Sequence, residues 1–251
     1  MDTKPDRYDA SMTGSHVPPG LRRLWRVPAP TQLGRPAELD VDRVLAAALV
    51  LADRDGLPGV TLPKVAEALG VTKMALYRYV GSKDELLTLL ADFAMPPPPD
   101  LDDDWRPALR RWAHGNRDVY RRHPWLAQIP FTGPPAGPHA IAWLDSALRA
   151  LRGTALDWDA KVGVVVLLGG WVRQAGNLAN EFADERGHRA QAEVEREYGR
   201  ALVELVDPER FPEAAGMFAS GVFEVAADDD SDFEFGLDIV LDGVAARIAA
   251  A

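Results

Sequence analysis

The chain is 251 residues long, 47% hydrophobic, and carries 28 Lys and Arg against 38 Asp and Glu, for a net charge of −10. It has no cysteine, which excludes a disulfide framework, a thiolate metal site and a cysteine nucleophile, and fits a reducing cytoplasm. No run of about eighteen apolar residues is present, so no membrane-spanning helix is expected.

The charge is unevenly placed. Residues 1–95 hold 12 basic and 12 acidic residues, and residues 96–251 hold 16 and 26, so the whole excess lies in the second stretch. Within 20–91 the balance is 10 basic to 8 acidic, and a local field of that sign lets an acidic protein bind a polyanion.

Residues 1–38 are rich in Pro, Gly, Ser, Thr and Asp with little periodicity and read as a flexible arm. Its basic residues, Arg22, Arg23, Arg26 and Arg35, either sit in a solvated leader or add DNA contacts beside a helix-turn-helix. Asp40 is a good N-cap for a first helix with the stripe Val41, Val44, Leu45, Ala48, Leu51 and Ala52, which Gly56 stops. Thr61 caps a second, short helix, "LPKVAEALG", with Pro63 in its first turn and Gly70 just past its end. Thr72 caps a third helix expected to run to about Val80. Gly81 then leads into the capping-box signal of Ser82 and Glu85, and a fourth helix runs to about Ala94. The run "PPPPD" (96–100) closes that helix and marks a domain boundary, so residues 39–95 and 100–251 are expected to be separate units.

The spacing predicts further helices over about 105–122, with Trp105, Leu109, Trp112, Asn116 and Val119 on one stripe, 140–151, 158–182 and the charged stretch before residue 205. A last helix presents Phe233, Leu237, Val240, Leu241, Val244 and Ile248 on one face. The acidic runs at 100–105 and 228–232 read as solvated helix caps, and their spacing is wrong for a calcium loop. No strand and no internal repeat is apparent. The fold class is all-α.

The second and third helices, joined by a tight turn at Gly70, have the layout of a helix-turn-helix. Such a unit places the N-terminal end of its second helix in the major groove. Ala66, Leu69, Leu76 and Val80 should face inward and Leu86 should join the core. Thr72, Lys73, Met74 and Ala75 are then left at the front, with Tyr77, Arg78, Tyr79 and Lys83 behind them. Small and polar groups at the front reach base edges, and hydroxyls and ammonium groups behind them donate to phosphates. Read by period alone, the pair of helices fits plain packing as well.

The stretch "LADRDGLPGVTLPKVAEALGVTKMALYRYVGSKDELLTLLAD" resembles the DNA-binding domain of the tetracycline-repressor (TetR) family. The likeness rests on Thr61, the "VAEALGV" run, Leu76-Tyr77, Tyr79-Val80, and Lys83 followed by Leu86-Leu87, and it spans about residues 40–92. It implies that Tyr79 contacts phosphate, with Tyr77 and Lys83 as further phosphate contacts, and that Thr72, Lys73, Met74 and Ala75 read bases. Pro63 stands where many members carry a polar or basic residue, which leaves Thr61 and Lys64 as contacts on the preceding helix. "RHPWLAQIP" and "LDSALRALRG" are more loosely similar to the C-terminal domain of the tetracycline-repressor branch. The resemblance implies that residues 100–251 form a helical ligand-binding and dimerisation domain.

The residues alone say less about that half. The final helix and the 158–182 helix lack obvious partners in so short a chain, and Gly163, Gly169 and Gly170 would let another helix approach. A four-helix homodimer interface or burial within one chain would satisfy both. Trp112, Asn116, Tyr120, Trp171, Gln174 and Asn177 are candidate ligand contacts, because an aromatic-lined cavity with a few amides suits a drug-sized molecule. Any one Trp reads first as ordinary core, and Asn116 equally as a hydrogen-bonded core amide or a ligand contact. His123 reads as a helix-end residue, and the five histidines show no metal-binding spacing. No phosphate loop, nucleophile elbow or zinc-protease motif is present, and no cofactor is implied.

These readings converge on a homodimeric DNA-binding regulator, a repressor released from a palindromic operator by a small inducer. Two alternatives stay open: an activator or ligand-independent DNA-binding protein, and a helical enzyme or interaction scaffold.

Overall fold

A computed structural model describes residues 17–27, 39–101, 104–130, 133–185, 191–224 and 229–251. Among them every regular element is helical. The order is α1 (Pro19–Leu24), α2 (Val41–Gly59), α3 (Leu62–Ala68), α4 (Lys73–Leu76), α5 (Lys83–Phe93), α6 (Trp105–Arg122), a 3-10 turn (Pro124–Gln128), α7 (Pro138–Ala150), α8 (Trp158–Glu185), α9 (Gln191–Leu205), α10 (Pro212–Ala219) and α11 (Asp229–Ala249).

Four cap side chains set the first helices. Asp40 Oδ1 accepts the Arg43 N–H at 2.8 Å, Thr61 Oγ1 that of Lys64 at 3.4 Å, Thr72 Oγ1 that of Ala75 at 3.3 Å and Ser82 Oγ that of Glu85 at 3.1 Å. Each cap contributes about 1 kcal/mol. Within α2 the helical path breaks at Gly56, whose φ of 67° and ψ of −173° only glycine adopts freely. Gly70, also at φ 67°, closes α3, and the Val71 N–H reaches back to the Ala66 carbonyl at 2.9 Å. Val44, Leu45, Ala48, Val65, Leu76, Val80, Leu86 and Leu90 are buried in the core these helices share.

Some expectations need correction. The third helix ends at Leu76, not near Val80: residues 77–79 continue as a turn whose Tyr79 N–H bonds to the Leu76 carbonyl at 2.8 Å. The arm is not wholly irregular, since residues 19–24 are helical. Leu24 is buried there, Leu21 is half-buried, and Arg23 is paired with Glu85. Arg35 lies outside the described residues. Of the two arrangements open to the apolar stripe of α11, burial within the chain holds: Phe233, Leu237, Leu241 and Val244 are buried and α11 packs on α8 and α6. Gly169 serves the same chain, lying against Trp112. The 3-10 turn and α10, each opened by a proline, were not anticipated.

The long elements are locked by charge as well as packing. Down one side of α6, Arg106 pairs with Asp242, Arg110 with Glu234 and Asp238, His114 with Glu234, and Arg117 and Arg121 with Asp230. Asp230, from the acidic run read as a solvated cap, thus bridges to α6, and the two guanidinium groups hold its carboxyl below the usual range. Asp104 does cap α6.

Two carboxylates join the first five helices to the rest. Asp53 on α2 accepts from His123 Nδ1 and Trp125 Nε1, both at 2.7 Å. Asp92, buried near the end of α5, accepts the Ala140 N–H at 2.9 Å and so caps the N-terminus of α7.

Candidate nucleic-acid interface and ligand-binding half

The front of α4 stands clear of the core. Leu76 and Val80 point inward with no exposed area, while Met74 on the opposite side is 74% exposed. Thr72, Lys73, Tyr77, Arg78 and Lys83 are exposed, Ala75 is half-buried, and Tyr79 is half-buried against the core. Four helical residues suffice to aim these groups because the caps at Thr72 and Ser82 fix both ends of the segment.

Two cations in this group lie over rings of the same segment. Lys73 Nζ is 5.8 Å from the centroid of Tyr77, and the Arg78 guanidinium 6.0 Å from that of Tyr79. Such contacts bias the long side chains towards one side. On α3, Lys64 is exposed with its ammonium 3.9 Å from Asp55, and the Thr61 hydroxyl is engaged as a cap. Pro63 is exposed and offers no donor. The result is a patch of cations, phenols and one thioether, group types that can donate to phosphates and meet base edges.

The capping signal at Ser82 holds only in part. Ser82 caps the Glu85 N–H, but Glu85 returns its carboxylate to the Gly81 N–H at 3.0 Å, one residue further out than a capping box. The same carboxylate takes a two-pronged bond from Arg23, which holds it below the ordinary carboxylate range. Glu85 was visible in the sequence as a cap residue. Arg23 as its partner was not, because the two are 62 positions apart.

In the second half the six candidate residues divide. Trp112 and Asn116 are buried on α6, and Tyr120 is half-buried with its hydroxyl pushed to a higher pKa by burial. The Trp112 Nε1 donates to the Trp143 carbonyl at 2.9 Å, and the two indoles meet edge to face. Trp112 lies against Gly169 and Tyr120 against Gly176, so both face one flank of α8. Trp171 turns to another flank, where it covers Gly236 and stacks on Phe233 with centroids 6.4 Å apart. Its buried Nε1 has no hydrogen-bond partner among the described residues. Gln174 is exposed and Asn177 half-buried. The six therefore do not line one wall in a single chain. Phe233, with the Arg117 guanidinium 4.2 Å from its ring centroid, and Gly236 belong with Trp171. The sequence hid that grouping, because it depends on the register of α11 against α8.

Among the described residues no cluster of His, Asp and Glu could hold a metal ion, and no helix is long and apolar enough to cross a membrane.

Comparison with known proteins agrees with this layout. Residues 44–90 match the family described as bacterial regulatory proteins, tetR family, and residues 97–248 match the tetracyclin repressor-like C-terminal domain. The HTH-type transcriptional repressor DrrR1 of Streptomyces coeruleorubidus is 33% identical over 91% of this chain and 86% of its own length. The class A tetracycline repressor protein from transposon 1721 of Escherichia coli is 28% identical, over 84% of this chain and 92% of that protein. Among solved structures, Streptomyces coelicolor ActR in complex with actinorhodin superposes with a TM-score of 0.72 at 26% identity, covering 86% of this chain and all of that one. Helix α1 lies outside both matched segments.

Proposed function

The chain belongs to the tetracycline-repressor family of bacterial transcription regulators, which are not enzymes, and on that footing we propose that it is a ligand-responsive repressor. It binds a near-palindromic operator as a homodimer in the cytoplasm and leaves it when a small molecule occupies its C-terminal half. Residues 39–95 form the DNA-binding unit and residues 100–251 the ligand and dimer unit.

The observation that carries the reading is the exposed front of α4 on a fully buried base. Lys73 and Met74, with Thr72 and Ala75, read base edges. Tyr77, Arg78, Tyr79, Lys83, Thr61 and Lys64 hold the phosphates.

Dimerisation is supported on the two helices expected from the sequence, though on another face of α11 than its apolar stripe suggested. On α8, Val162, Val166 and Leu167 are exposed, and nothing lies within 4 Å of a Cβ placed at Gly163 or Gly170. On the neighbouring α11, Phe235 and Ile239 are exposed and Gly243 is equally open. Two such stripes brought against their copies make the four-helix seam of a two-fold dimer.

ActR, the similar protein solved with actinorhodin, supports a small-molecule ligand, whose site we place in the second half. Trp112, Asn116 and Tyr120, which share α6 on the side of the Gly169 and Gly176 flank of α8, are the contacts retained for it; Trp171 lies on another flank and is not one of them. The ligand must prefer the DNA-releasing conformation, since equal affinity for both would shift nothing. Asp53 and Asp92 supply the rigid links through which that preference reaches α2 and α5.

Selection of duplexes from a random-sequence pool by the full chain, followed by footprinting, tests the reading. The expected product carries two related half-sites about one helical turn, or a multiple of it, apart. Failure to enrich any duplex would refute it.

A further inference from the structure

We propose that Arg23, on α1, is a positioning residue for DNA binding: through Glu85 it holds the turn between α4 and α5 that presents Tyr79 and Lys83. This rests on the reading of that turn as phosphate-facing.

Helix α1 has six residues, too few to persist alone. It is held by Leu24 and by the two residues just past its end. Leu24 is buried in the core. Arg26 Nε donates to Asp42 Oδ1 on α2 at 2.8 Å, and Trp25 Nε1 donates to the Ala136 carbonyl, just ahead of α7, at 2.7 Å. With its C-terminal end fixed, α1 presents the Arg23 fork to Glu85. Nη2 donates to Oε2 at 2.7 Å while Nε donates to Oε1. A two-pronged guanidinium–carboxylate pair fixes orientation as well as distance.

Glu85 passes that orientation on. Its Oε2 accepts the Gly81 N–H at 3.0 Å, while its own N–H is capped by Ser82 at 3.1 Å. The carboxylate therefore ties α1 to the residue between Val80 and the first turn of α5, beside Tyr79 on one side and Lys83 on the other. Gly81 leaves room for the tie: a Cβ there would press on the Glu85 carboxylate and stand 3.0 Å from Arg23 Nη2. Arg23 is thus no free phosphate ligand. Its charge is committed to a carboxylate that would otherwise stand bare two residues from Lys83, and its fork sets where that carboxylate can sit.

The test uses the full chain and a duplex that the wild-type chain selects from a random pool. Arg23→Met, which keeps the stem and removes the fork, is expected to raise Kd about tenfold. The slope of log Kd against log salt should stay unchanged, because no phosphate contact is lost. Arg23→Lys, which restores the charge but not the fork, should recover only a minor part of that affinity. The double variant Arg23→Met with Glu85→Gln should remain weak, because the fork is gone even though the bare charge is too. In the DNA-free chain, amide exchange at Gly81 should quicken in Arg23→Met while that of Leu45 and Leu51 on α2 does not. Should Arg23→Met fail to fold, Glu85→Gln, which keeps an acceptor for Gly81, is expected to weaken binding at the same unchanged slope. Wild-type affinity in Arg23→Met would overturn the proposal. So would a slope reduced by about one, the mark of a direct phosphate contact, or full recovery in the double variant, which would leave charge neutralisation as the whole effect. A wild-type chain that selects no duplex would instead sink the phosphate-facing reading itself.

Discussion

Replacing Asp53 with alanine removes one carboxylate oxygen on which two donors converge. His123 Nδ1 and Trp125 Nε1 both lie 2.7 Å from Asp53 Oδ1. Trp125 is 2% exposed and His123 is buried, so neither finds water readily once the acceptor is gone. An orphaned buried donor costs about 1–3 kcal/mol. Asp53 itself is 37% exposed, which places its site at the lower end for both donors. The expected loss is then about 2–3 kcal/mol of unfolding free energy, or roughly 5–10 °C in Tm for a chain of this size. Urea denaturation followed by tryptophan fluorescence measures it, with Trp125 reporting from the site. Asp53→Asn keeps an acceptor oxygen and should cost about half as much. A loss below about 0.5 kcal/mol for Asp53→Ala, the range of an ordinary surface change, would refute the argument that this junction ties α2 to the 3-10 turn.

Phe235→Asp should convert the dimer to monomer in sedimentation equilibrium without lowering the monomer's helix content. Each copy would lose about 1–2 kcal/mol of apolar burial, twice over in a two-fold dimer, and an unchanged dimerisation constant would count against the proposed seam. Gly70→Ala forces a side chain into φ 67° and should cost about 1 kcal/mol, read from the urea midpoint. Glu85 gives a pH signature. Its folded pKa lies below the unfolded one because Arg23 bonds the carboxylate, so its stabilisation is full above the ordinary carboxylate value and fades as pH falls through the lowered one. Glu85→Gln should flatten the stability profile in that acidic range and nowhere near neutrality.

The sequence was most legible where one residue type has one use. Asp40, Thr61, Thr72 and Ser82 could be recognised as caps because each precedes an apolar run, and Gly56 and Gly70 as stops because glycine takes positive φ at no steric cost. Partners distant along the chain were not legible. The leucines of α1 are too few to show a period, and Arg23 gains its meaning only from Glu85. The α11 stripe announced an apolar face but not what covers it; the fold spends Phe233 and Leu237 inside and leaves Phe235 and Ile239 out. The six ligand candidates failed to converge for the same reason. Periodicity places Trp171 on α8 but does not say that its indole faces Gly236 on α11 rather than Trp112 on α6.

The account turns on the outward front of α4, and operator binding by two sets of variants tests it most directly. Lys73→Ala and Met74→Ala should change which base pairs are preferred when the selection is repeated. Tyr79→Phe and Lys83→Ala should instead weaken all duplexes alike, with Lys83→Ala lowering the salt slope by about one. Unaltered preference in the first pair together with unaltered affinity in the second would contradict the claim that this surface meets DNA.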